Sequence, residues 1–256
     1  MKTFLIVFVA IVCWVVIEET VAADPVKPVW PLQFDTVFGL NCKTCKPAIQ
    51  NETSHFYYDW KLQSQVIDYP TTCLPGLVSD SQQYPCTMWF NPDGIYFQQL
   101  AQKIGCCSLF PGVGAVPPNF LRGFHYSNVE NATDYYGASH ACNHWTSGIT
   151  FFGYWTQLHT GDDIQFKDGP SGVFWNFAPF NVAPQNPSIF DLPTNQGNCS
   201  QLCTDFPGFQ IDPVCCFFFS FIHLNPNVFS LLLFSFIQGF DSFCWFDDES
   251  KPLIKK

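Results

Sequence analysis

Apolar and polar residues alternate along much of the chain, and this period of two predicts β-strands rather than helices. The clearest example is SHFYYDWKLQSQVIDY, residues 54–69. Read in twos, its apolar set falls on one side: Phe56, Tyr58, Trp60, Leu62 and Val66. Because strands usually end within about ten residues, a stretch of this length predicts either a strongly bent strand or a hairpin. The alternation slips between Ser64 and Ile67, where a bulge could turn the strand.

Other stretches add strands and turns to this pattern. PLQFDTVFGL predicts the first strand, and FFGYWTQLHTGDDIQFKDGPSGVFWNFAPFNV predicts three late ones, with turns at 159–163 and 167–172. TMWFNPDGIYFQQL predicts a hairpin, because Pro92 presets φ, Asp93 can cap the turn and Gly94 accepts a positive φ. FPGVGAVPPNFLRGF, between the two groups, predicts a loop with at most one helical turn. The sequence therefore predicts an all-β, mainly antiparallel fold: a curved meander of roughly seven to ten strands that forms a half-barrel with few short helices.

The two ends of the chain differ from the part between them. Lys2, an apolar run at 4–17 and small residues at 21–23 are typical of a cleaved secretory signal. We assign residues 1–23 to a signal peptide, 24–213 to a single disulfide-bonded domain and 214–256 to an apolar tail. His223, Asn225 and Pro226 interrupt the tail, which argues against a clean membrane helix. Because the composition changes abruptly after Pro213, we interpret the tail as a non-native extension or a membrane anchor rather than as two buried strands.

The chain is acidic and rich in aromatic residues. Its 256 residues include 21 Asp and Glu against 11 Lys and Arg, for a formal net charge of −10. Phosphate binding needs a basic patch, so this balance argues against a nucleic-acid partner. Only 12% of the residues are charged while 18% are aromatic, which argues against disorder. So many aromatic side chains need either burial or a ligand.

Cysteine usage indicates an oxidising compartment. Twelve cysteines follow the signal, and in an exported chain they predict disulfides. The candidates are Cys42, Cys45, Cys73, Cys86, Cys106, Cys107, Cys142, Cys199 and Cys203, with Cys42–Cys45 and Cys73–Cys86 the closest pairs in sequence. Three N-glycosylation sequons, at Asn51, Asn131 and Asn198, fit the same picture. We therefore predict a glycoprotein that is secreted or held in the lumen of the secretory pathway.

No motif in the sequence carries a complete catalytic or metal site. CKTC at 42–45 has the spacing of a redox pair, but no βαβ pattern surrounds it and a disulfide is the better interpretation. SHACNHW places His140, Cys142 and His144 on one face of a strand, which suits a metal cluster or a Cys–His pair. No orienting acid accompanies them, so we interpret Cys142 as a disulfide cysteine. Scattered carboxylates leave a glycosidase-type pair open, with Asp59, Asp162, Asp163 and Asp168 as the acids to compare, but we predict no catalytic residue, no metal and no cofactor.

The remaining signal is the set of aromatic residues at alternating positions. A single sheet cannot bury both faces without a second layer, so a curved sheet with few helices must close on itself or around a ligand. A plain core accounts for part of the set, and an aromatic-lined cavity accounts for the rest. The predicted lining residues are Phe56, Tyr58, Trp60, Trp89, Trp155 and Trp175.

Five short motifs, in order, resemble a known group of proteins. WPLQF, FYYDW, PPNFL, CNHW and FAPFNVAP resemble a group of uncharacterised secretory-pathway proteins of plants and protists, over about residues 30–199. More distantly, the YDW strand, the paired cysteines and the late C-x-x-W look like the ependymin-related proteins. That resemblance implies a secreted half-barrel of antiparallel strands, similar to the LolA-type carriers that hold acyl chains. The many extra cysteines and the apolar tail depart from the pattern.

The first functional hypothesis is a non-catalytic glycoprotein that binds an apolar or amphipathic ligand in an aromatic-lined concavity. Its partner is an apolar small molecule or a lipid, with membrane contact through the C-terminal tail as a further option. Two alternatives stay open. One is a luminal enzyme acting on glycans, which a glycosyl-transfer label on some plant and protist proteins implies. The other is a structural adhesion module whose aromatic residues form only a core.

Overall fold

The structure is a computed structural model that describes residues 24–43, 45, 48–73, 84–147, 152–169, 172–193, 195, 197–206 and 209. The predicted signal peptide and the predicted apolar tail both lie outside these residues. None of the helices in the described part of the chain is long and apolar enough to cross a membrane.

Eleven β-strands form one antiparallel sheet in the order β6-β5-β4-β3-β2-β1-β11-β10-β9-β8-β7. The strands are β1 (Gln33–Cys42), β2 (Ile49–Asp59), β3 (Ser64–Tyr69), β4 (Cys86–Asn91), β5 (Gly94–Gln99), β6 (Ile104–Pro111), β7 (His125–Thr133), β8 (Ser139–Thr146), β9 (Gly153–Gln157), β10 (Asp163–Lys167) and β11 (Phe174–Phe177). Short 3-10 helices include Leu100–Gln102, Phe120–Gly123, Pro187–Phe190 and Cys203–Asp205. The predicted fold, an all-β antiparallel sheet that curves without closing, is confirmed.

Two meanders make up the sheet, and they meet in its middle. The first runs from β1 to β6, the second runs from β7 to β11, and β1 pairs with β11. Every other pairing joins strands that are neighbours in sequence. Because β6 and β7 follow each other in the chain but lie at opposite edges, the connection between them must cross the sheet.

The pairing register sorts the side chains onto two faces. We call the face with the larger buried cluster the inner face and the opposite one the outer face. Directly paired residues share a face, as Phe34 and Tyr58 do in the centre of the sheet. Large side chains buried on the inner face include Phe34, Phe38, Phe56, Tyr58, Ile67, Met88, Phe97, Trp145, Tyr154, Trp175 and Phe177. Since each such burial stabilises the fold by about 1.5–3 kcal/mol, the inner face holds the fold together.

The connection from β6 to β7, residues 112–124, packs on the inner face and is called the strap below. Val116 fastens it to the sheet twice: its N–H donates to Gln65 Oε1 at 3.1 Å, and its carbonyl accepts from Tyr58 Oη at 2.8 Å. Leu121, in the helical turn of the strap, is 1% exposed. The strap therefore provides part of the second layer that a single sheet needs.

The stretch at 54–69 is a hairpin rather than a bent strand. Asp59 ends β2, and its Oδ1 accepts bonds from the N–H of Lys61 at 2.9 Å and of Leu62 at 3.3 Å. This turn interrupts the alternation, so the prediction of one continuous apolar side is wrong for two residues. Trp60, in the turn, still packs against the inner-face cluster, but Leu62 is 43% exposed and Val66 packs on the outer face.

The second predicted hairpin, between β4 and β5, is confirmed. Its turn contains Pro92 and Asp93, and Asn91 Oδ1 accepts a bond from the N–H of Asp93 at 3.2 Å. A side chain on Gly94 would place its Cβ 2.9 Å from the carbonyl oxygen of Phe110 on β6. The glycine thus serves close packing of two strands as well as the turn.

Four disulfides link the described residues: Cys42–Cys45, Cys73–Cys86, Cys106–Cys199 and Cys107–Cys203. Eight of the nine candidate cysteines are thereby confirmed. The assignment of Cys142 to a disulfide is wrong, since this residue is a buried free thiol. It points from β8 into a small apolar cluster on the outer face, beside Ala132, Trp155 and Ile164.

Candidate functional site on the inner face

The inner face is organised around Trp30, which precedes β1 and is 8% exposed. Its backbone N–H donates to the carbonyl of Pro118 in the strap at 3.0 Å, and its ring centroid lies 4.4 Å from that of Phe120. On the sheet side its ring centroid is 5.6 Å, 5.7 Å and 5.5 Å from those of Phe34, Phe56 and Tyr58. Trp30 therefore lies between the strap and the sheet and holds them together.

A hydrogen-bonded series connects Trp30 to a carboxylate. Trp30 Nε1 donates to Tyr154 Oη at 2.7 Å, and Tyr154 Oη donates to Asp163 Oδ1 at 2.6 Å. Burial raises the pKa of Asp163 to about 6; the bond from Tyr154 lowers this pKa and the charge of Asp162 raises it. Burial, with the nearby charge of Asp163, raises the pKa of Tyr154 well above its usual value. The pKa of the Asp163 carboxyl therefore lies near 6, while the phenol of Tyr154 stays protonated at neutral pH.

The aromatic rings around this series are only half-buried. They come from the strap and from two strands of the second meander: Phe120, Phe124, Tyr126 and Phe166. The ring centroids of Phe120 and Phe166 lie 5.2 Å and 6.4 Å from that of the fully buried Tyr154. An apolar surface that water reaches thus borders an acid whose pKa is raised. Apolar walls with a few convergent polar groups are typical of small-molecule sites.

Four of the six residues predicted to line a cavity belong to the buried cluster of the inner face or pack against it. Phe56, Tyr58 and Trp175 belong to its buried cluster, where Phe56 is 2% and Tyr58 0% exposed. Trp60, in the turn after β2, is half-buried with its ring centroid 6.5 Å from that of Tyr58. In this structure these rings contact other side chains of the same protein.

The prediction that Trp89 and Trp155 line the same cavity is wrong. Trp89 pairs with Val66 in the register, and both pack on the outer face against Phe190. Trp155 follows Tyr154 directly, so the two side chains must point to opposite faces of β9. Trp155 belongs to the second outer-face cluster.

Trp155 anchors a polar group of side chains on the outer face. Its Nε1 donates to Glu130 Oε1 at 2.6 Å, and the same oxygen lies 3.2 Å from His144 Nδ1. The rings of Trp155 and His144 are stacked with centroids 4.3 Å apart, and Gly153 leaves room for them because any Cβ there would collide with the indole. Burial lowers the pKa of His144, Glu130 raises it and Lys167 lowers it. These contacts fix the second meander on its outer side.

His140, Cys142 and His144 of the SHACNHW motif do not act on a common ligand, because the two histidines have different carboxylate partners. His140 Nε2 lies 2.8 Å from Asp134 Oδ2, whereas His144 interacts with Glu130. Burial raises the pKa of the Cys142 thiol, which makes it a poor nucleophile at neutral pH. Within the described ranges, no group of three or more His, Cys, Asp or Glu residues could hold a metal ion.

The carboxylates considered for an enzyme have separate positions. Asp59 closes the β2–β3 turn and accepts a further bond from Gln33 Nε2 at 2.7 Å. Asp162 is exposed in the turn before β10, and Asp168 is buried just after that strand. Asp163, at the start of β10, is bonded to the aromatic cluster of the inner face through Tyr154.

Sequence reasoning missed Trp30, Phe120 and the Tyr154–Asp163 pair. Trp30 and Phe120 lie outside any strand, so no alternation marks them. For Tyr154, the signal was present, because a Tyr-Trp dipeptide on a strand must place one ring on each face. Choosing the correct ring needed the register of β9 against β8 and β10.

Comparison with known proteins adds little to this geometry. No family model matches the chain, and no curated protein matches it. A solved structure of an uncharacterized conserved protein from Thermus thermophilus is similar over 67% of this chain and 90% of its own, with 7% sequence identity and a TM-score of 0.39. The resemblance to the plant and protist group and to the ependymin-related proteins stays a prediction.

Proposed function

We propose that this protein is a non-catalytic binding protein of the secretory route that takes an apolar or amphipathic ligand on its inner face, beside and beneath the strap. The observation that carries the proposal is the set of half-buried rings around Tyr154 and Asp163. The four disulfides are compatible with an extracellular or secretory-pathway protein.

The construction of the strap supports ligand entry from this side. The strap crosses the sheet without joining it as a strand. Hydrogen bonds join it to Tyr58, Gln65, Trp30 and Lys27, and its first residue, Gly112, donates to the Asp93 carbonyl. A segment held by a few bonds opens at a lower free energy than the sheet below it. An apolar ligand could then replace Phe120 against Trp30.

The polar end of the site indicates which ligands fit. Above about pH 6 the Asp163 carboxyl is ionised, and the exposed Asp162 lies next to it. A ligand carboxylate would be repelled there, whereas a hydroxyl or an amine could donate to Asp163. We therefore expect a fatty alcohol or a long-chain amine to bind better than a fatty acid at neutral pH.

A pair of variants on adjacent strands tests the proposal. Phe166 and Phe174 are both half-buried, but Phe166 contacts Tyr154 on the inner face and Phe174 contacts Trp155 on the outer face. We expect Phe166→Ala to weaken uptake of a fluorescent fatty alcohol by about tenfold, since truncating a contact ring costs about 1–2 kcal/mol. Phe174→Ala should bind as the wild type does. Equal effects of both variants would contradict a site on the inner face.

The full burial of the central rings favours a second candidate, a structural module. Phe34 and Tyr58 are 0% exposed, and the ring of Phe34 is stacked on that of Phe180 at a centroid distance of 4.2 Å. Such packing needs no ligand. Protein purified from an oxidising host without copurifying lipid, and with no uptake of the alcohol, the amine or the acid, would support this candidate against the binding proposal.

A further inference from the structure

The four described disulfides differ in how far apart their cysteines lie in the sequence. Cys42 and Cys45 are three residues apart, whereas the other pairs are separated by 13, 93 and 96 residues. A disulfide constrains the unfolded chain more when it closes a longer loop. Of the four, the Cys42–Cys45 disulfide therefore contributes least to stability through this effect.

The three longer-range disulfides connect separate parts of the chain: Cys73–Cys86, Cys106–Cys199 and Cys107–Cys203. The first joins the segment after β3 to the start of β4, and the other two fasten a late segment to β6. Five of these six cysteines are at most 4% exposed, and Cys199 is half-buried. Reduction of any of the three would separate a part of the fold from its neighbour, so we interpret them as structural.

The Cys42–Cys45 disulfide lies within one loop, the connection from β1 to β2. Cys42 ends β1 and is 0% exposed, whereas Cys45 is half-buried. Reduction of this disulfide would leave the pairing of β1 with β2 from Gln33 to Leu40 in place. The pair can therefore open without separating any two strands, and an external thiol would reach Cys45 before Cys42.

The buried sulfur of the pair has contacts that suit a leaving group. The backbone N–H of Cys45 donates to Cys42 Sγ at 3.1 Å. Lys43, the exposed residue directly after Cys42, adds a positive charge. A hydrogen-bond donor and a cation both stabilise a thiolate, and a stabilised thiolate leaves faster in thiol–disulfide exchange. Attack at Cys45 with departure of Cys42 is thus the favoured direction of the reaction.

We propose that the Cys42–Cys45 disulfide is a redox site that oxidises a dithiol of a partner protein, while the three longer-range disulfides stay closed. One thiolate of the dithiol attacks Cys45 Sγ, the S–S bond breaks, and its electron pair leaves on Cys42 Sγ, which takes up a proton. The second thiolate of the dithiol attacks the mixed disulfide and releases Cys45 as a thiol. The dithiol is oxidised to a disulfide, and Cys42 and Cys45 are reduced. The inference does not depend on ligand binding at the inner face.

The first test titrates the full chain, expressed in an oxidising host, with mixtures of reduced and oxidised dithiothreitol. Free thiols are alkylated, and peptide mass spectrometry assigns the label to each cysteine. We expect Cys42 and Cys45 to be labelled at a reduced-to-oxidised ratio at least about tenfold lower than the other three pairs require. Circular dichroism at that ratio should match the oxidised protein. Labelling of all four pairs at one ratio, or of another pair first, overturns the proposal.

A matched pair of variants tests the direction of attack. Cys42→Ser leaves the half-buried Cys45, and Cys45→Ser leaves the buried Cys42. With oxidised glutathione, Cys42→Ser should form its mixed disulfide about tenfold faster than Cys45→Ser does. Equal rates, or a faster reaction of Cys45→Ser, would contradict attack at Cys45.

The dithiol reaction itself is measured with a reduced peptide that contains two cysteines. The wild type should convert up to one equivalent of the peptide to its disulfide form, and the Cys42→Ser, Cys45→Ser double variant should leave the peptide reduced. Cys142→Ser removes a free thiol outside the pair and should react as the wild type does. A wild type that leaves the peptide reduced, or a double variant that oxidises it equally well, overturns the proposal.

Discussion

The two faces of the sheet are both aromatic, yet they are built on different principles. On the inner face, rings pack on rings and on the strap in one continuous buried cluster that extends across both meanders. On the outer face, the buried residues fall into two small clusters, around Trp89 and around Trp155. The inner face depends on buried apolar area, and the outer face depends on local contacts such as the bond from Trp155 to Glu130.

This difference shows that aromatic content alone does not identify a ligand-binding face. Trp155 is as well buried as the inner rings, at 5% exposure, but its neighbours are a histidine and a carboxylate. The half-buried rings near Asp163 are distinguished by their position at the border of a large cluster. Where a ring lies relative to the strap matters more than how many rings there are.

The largest expected effect comes from removing the ring that joins the strap to the sheet. Trp30→Ala deletes a buried indole with several ring partners and its bond to Tyr154, so we expect a loss of about 3–5 kcal/mol in the free energy of unfolding. Trp155→Ala should cost less, because its cluster has few buried members and Glu130 can be hydrated. Guanidinium denaturation of both variants measures the two losses.

Tyr136→Ala provides the reference for a largely exposed ring. Tyr136 is 71% exposed, so its truncation should change stability by less than about 0.5 kcal/mol. If Trp155→Ala is as damaging as Trp30→Ala, the distinction between one continuous inner core and separate outer clusters fails.

The sequence predicts the strands well, because period-two alternation and turn residues are local properties. It predicts three late strands, and it identifies Phe56 and Tyr58 as one apolar side, but it leaves residues 54–69 open between a bent strand and a hairpin. Which face Trp89 and Trp155 lie on depends on the pairing register of their strands, and this register is set by residues distant in the sequence. The role of Trp30 depends on a contact with Pro118, many residues away in the chain, and no local pattern encodes it.

We expect pH to have a smaller effect on stability. In the folded state the pKa of Asp163 is raised, whereas the pKa of Asp134 is lowered. The folded-state pKa of Asp163 is raised to about 6, so the folded state binds a proton that the unfolded state has already released. Its contribution to stability is therefore present below about pH 4 and is lost as the pH rises through about 6. Asp163→Asn keeps an acceptor for Tyr154 and should remove this loss, about 1–2 kcal/mol after allowance for partial exposure.

Asp134, in the turn between β7 and β8, gives the contrast. Its pKa is lowered: the bonds from His140 and Ala138 and the charge of His140 outweigh the upward effect of burial. Its contribution is present above its unfolded pKa and disappears as the pH falls below about 4. Urea denaturation between pH 3 and 8 gives the free energy of unfolding as a function of pH. Asp163→Asn should change the slope of this curve only from about pH 4 to 6. A wild type and an Asp163→Asn variant with parallel stability curves would exclude the raised pKa.

The smallest effect concerns the outer face alone. Glu130→Gln keeps an oxygen for the Trp155 bond but removes the charge that raises the pKa of His144. We expect the pKa of His144 to fall further below its usual value, while stability at pH 7 changes by less than about 0.5 kcal/mol. An NMR titration of the His144 ring measures the shift. Glu52→Gln, whose carboxylate accepts from Thr71, is the control and should leave His144 unchanged. An unchanged or higher pKa of His144 in Glu130→Gln would mean that the outer cluster is not held by this carboxylate, and that stacking on Trp155 alone positions the histidine.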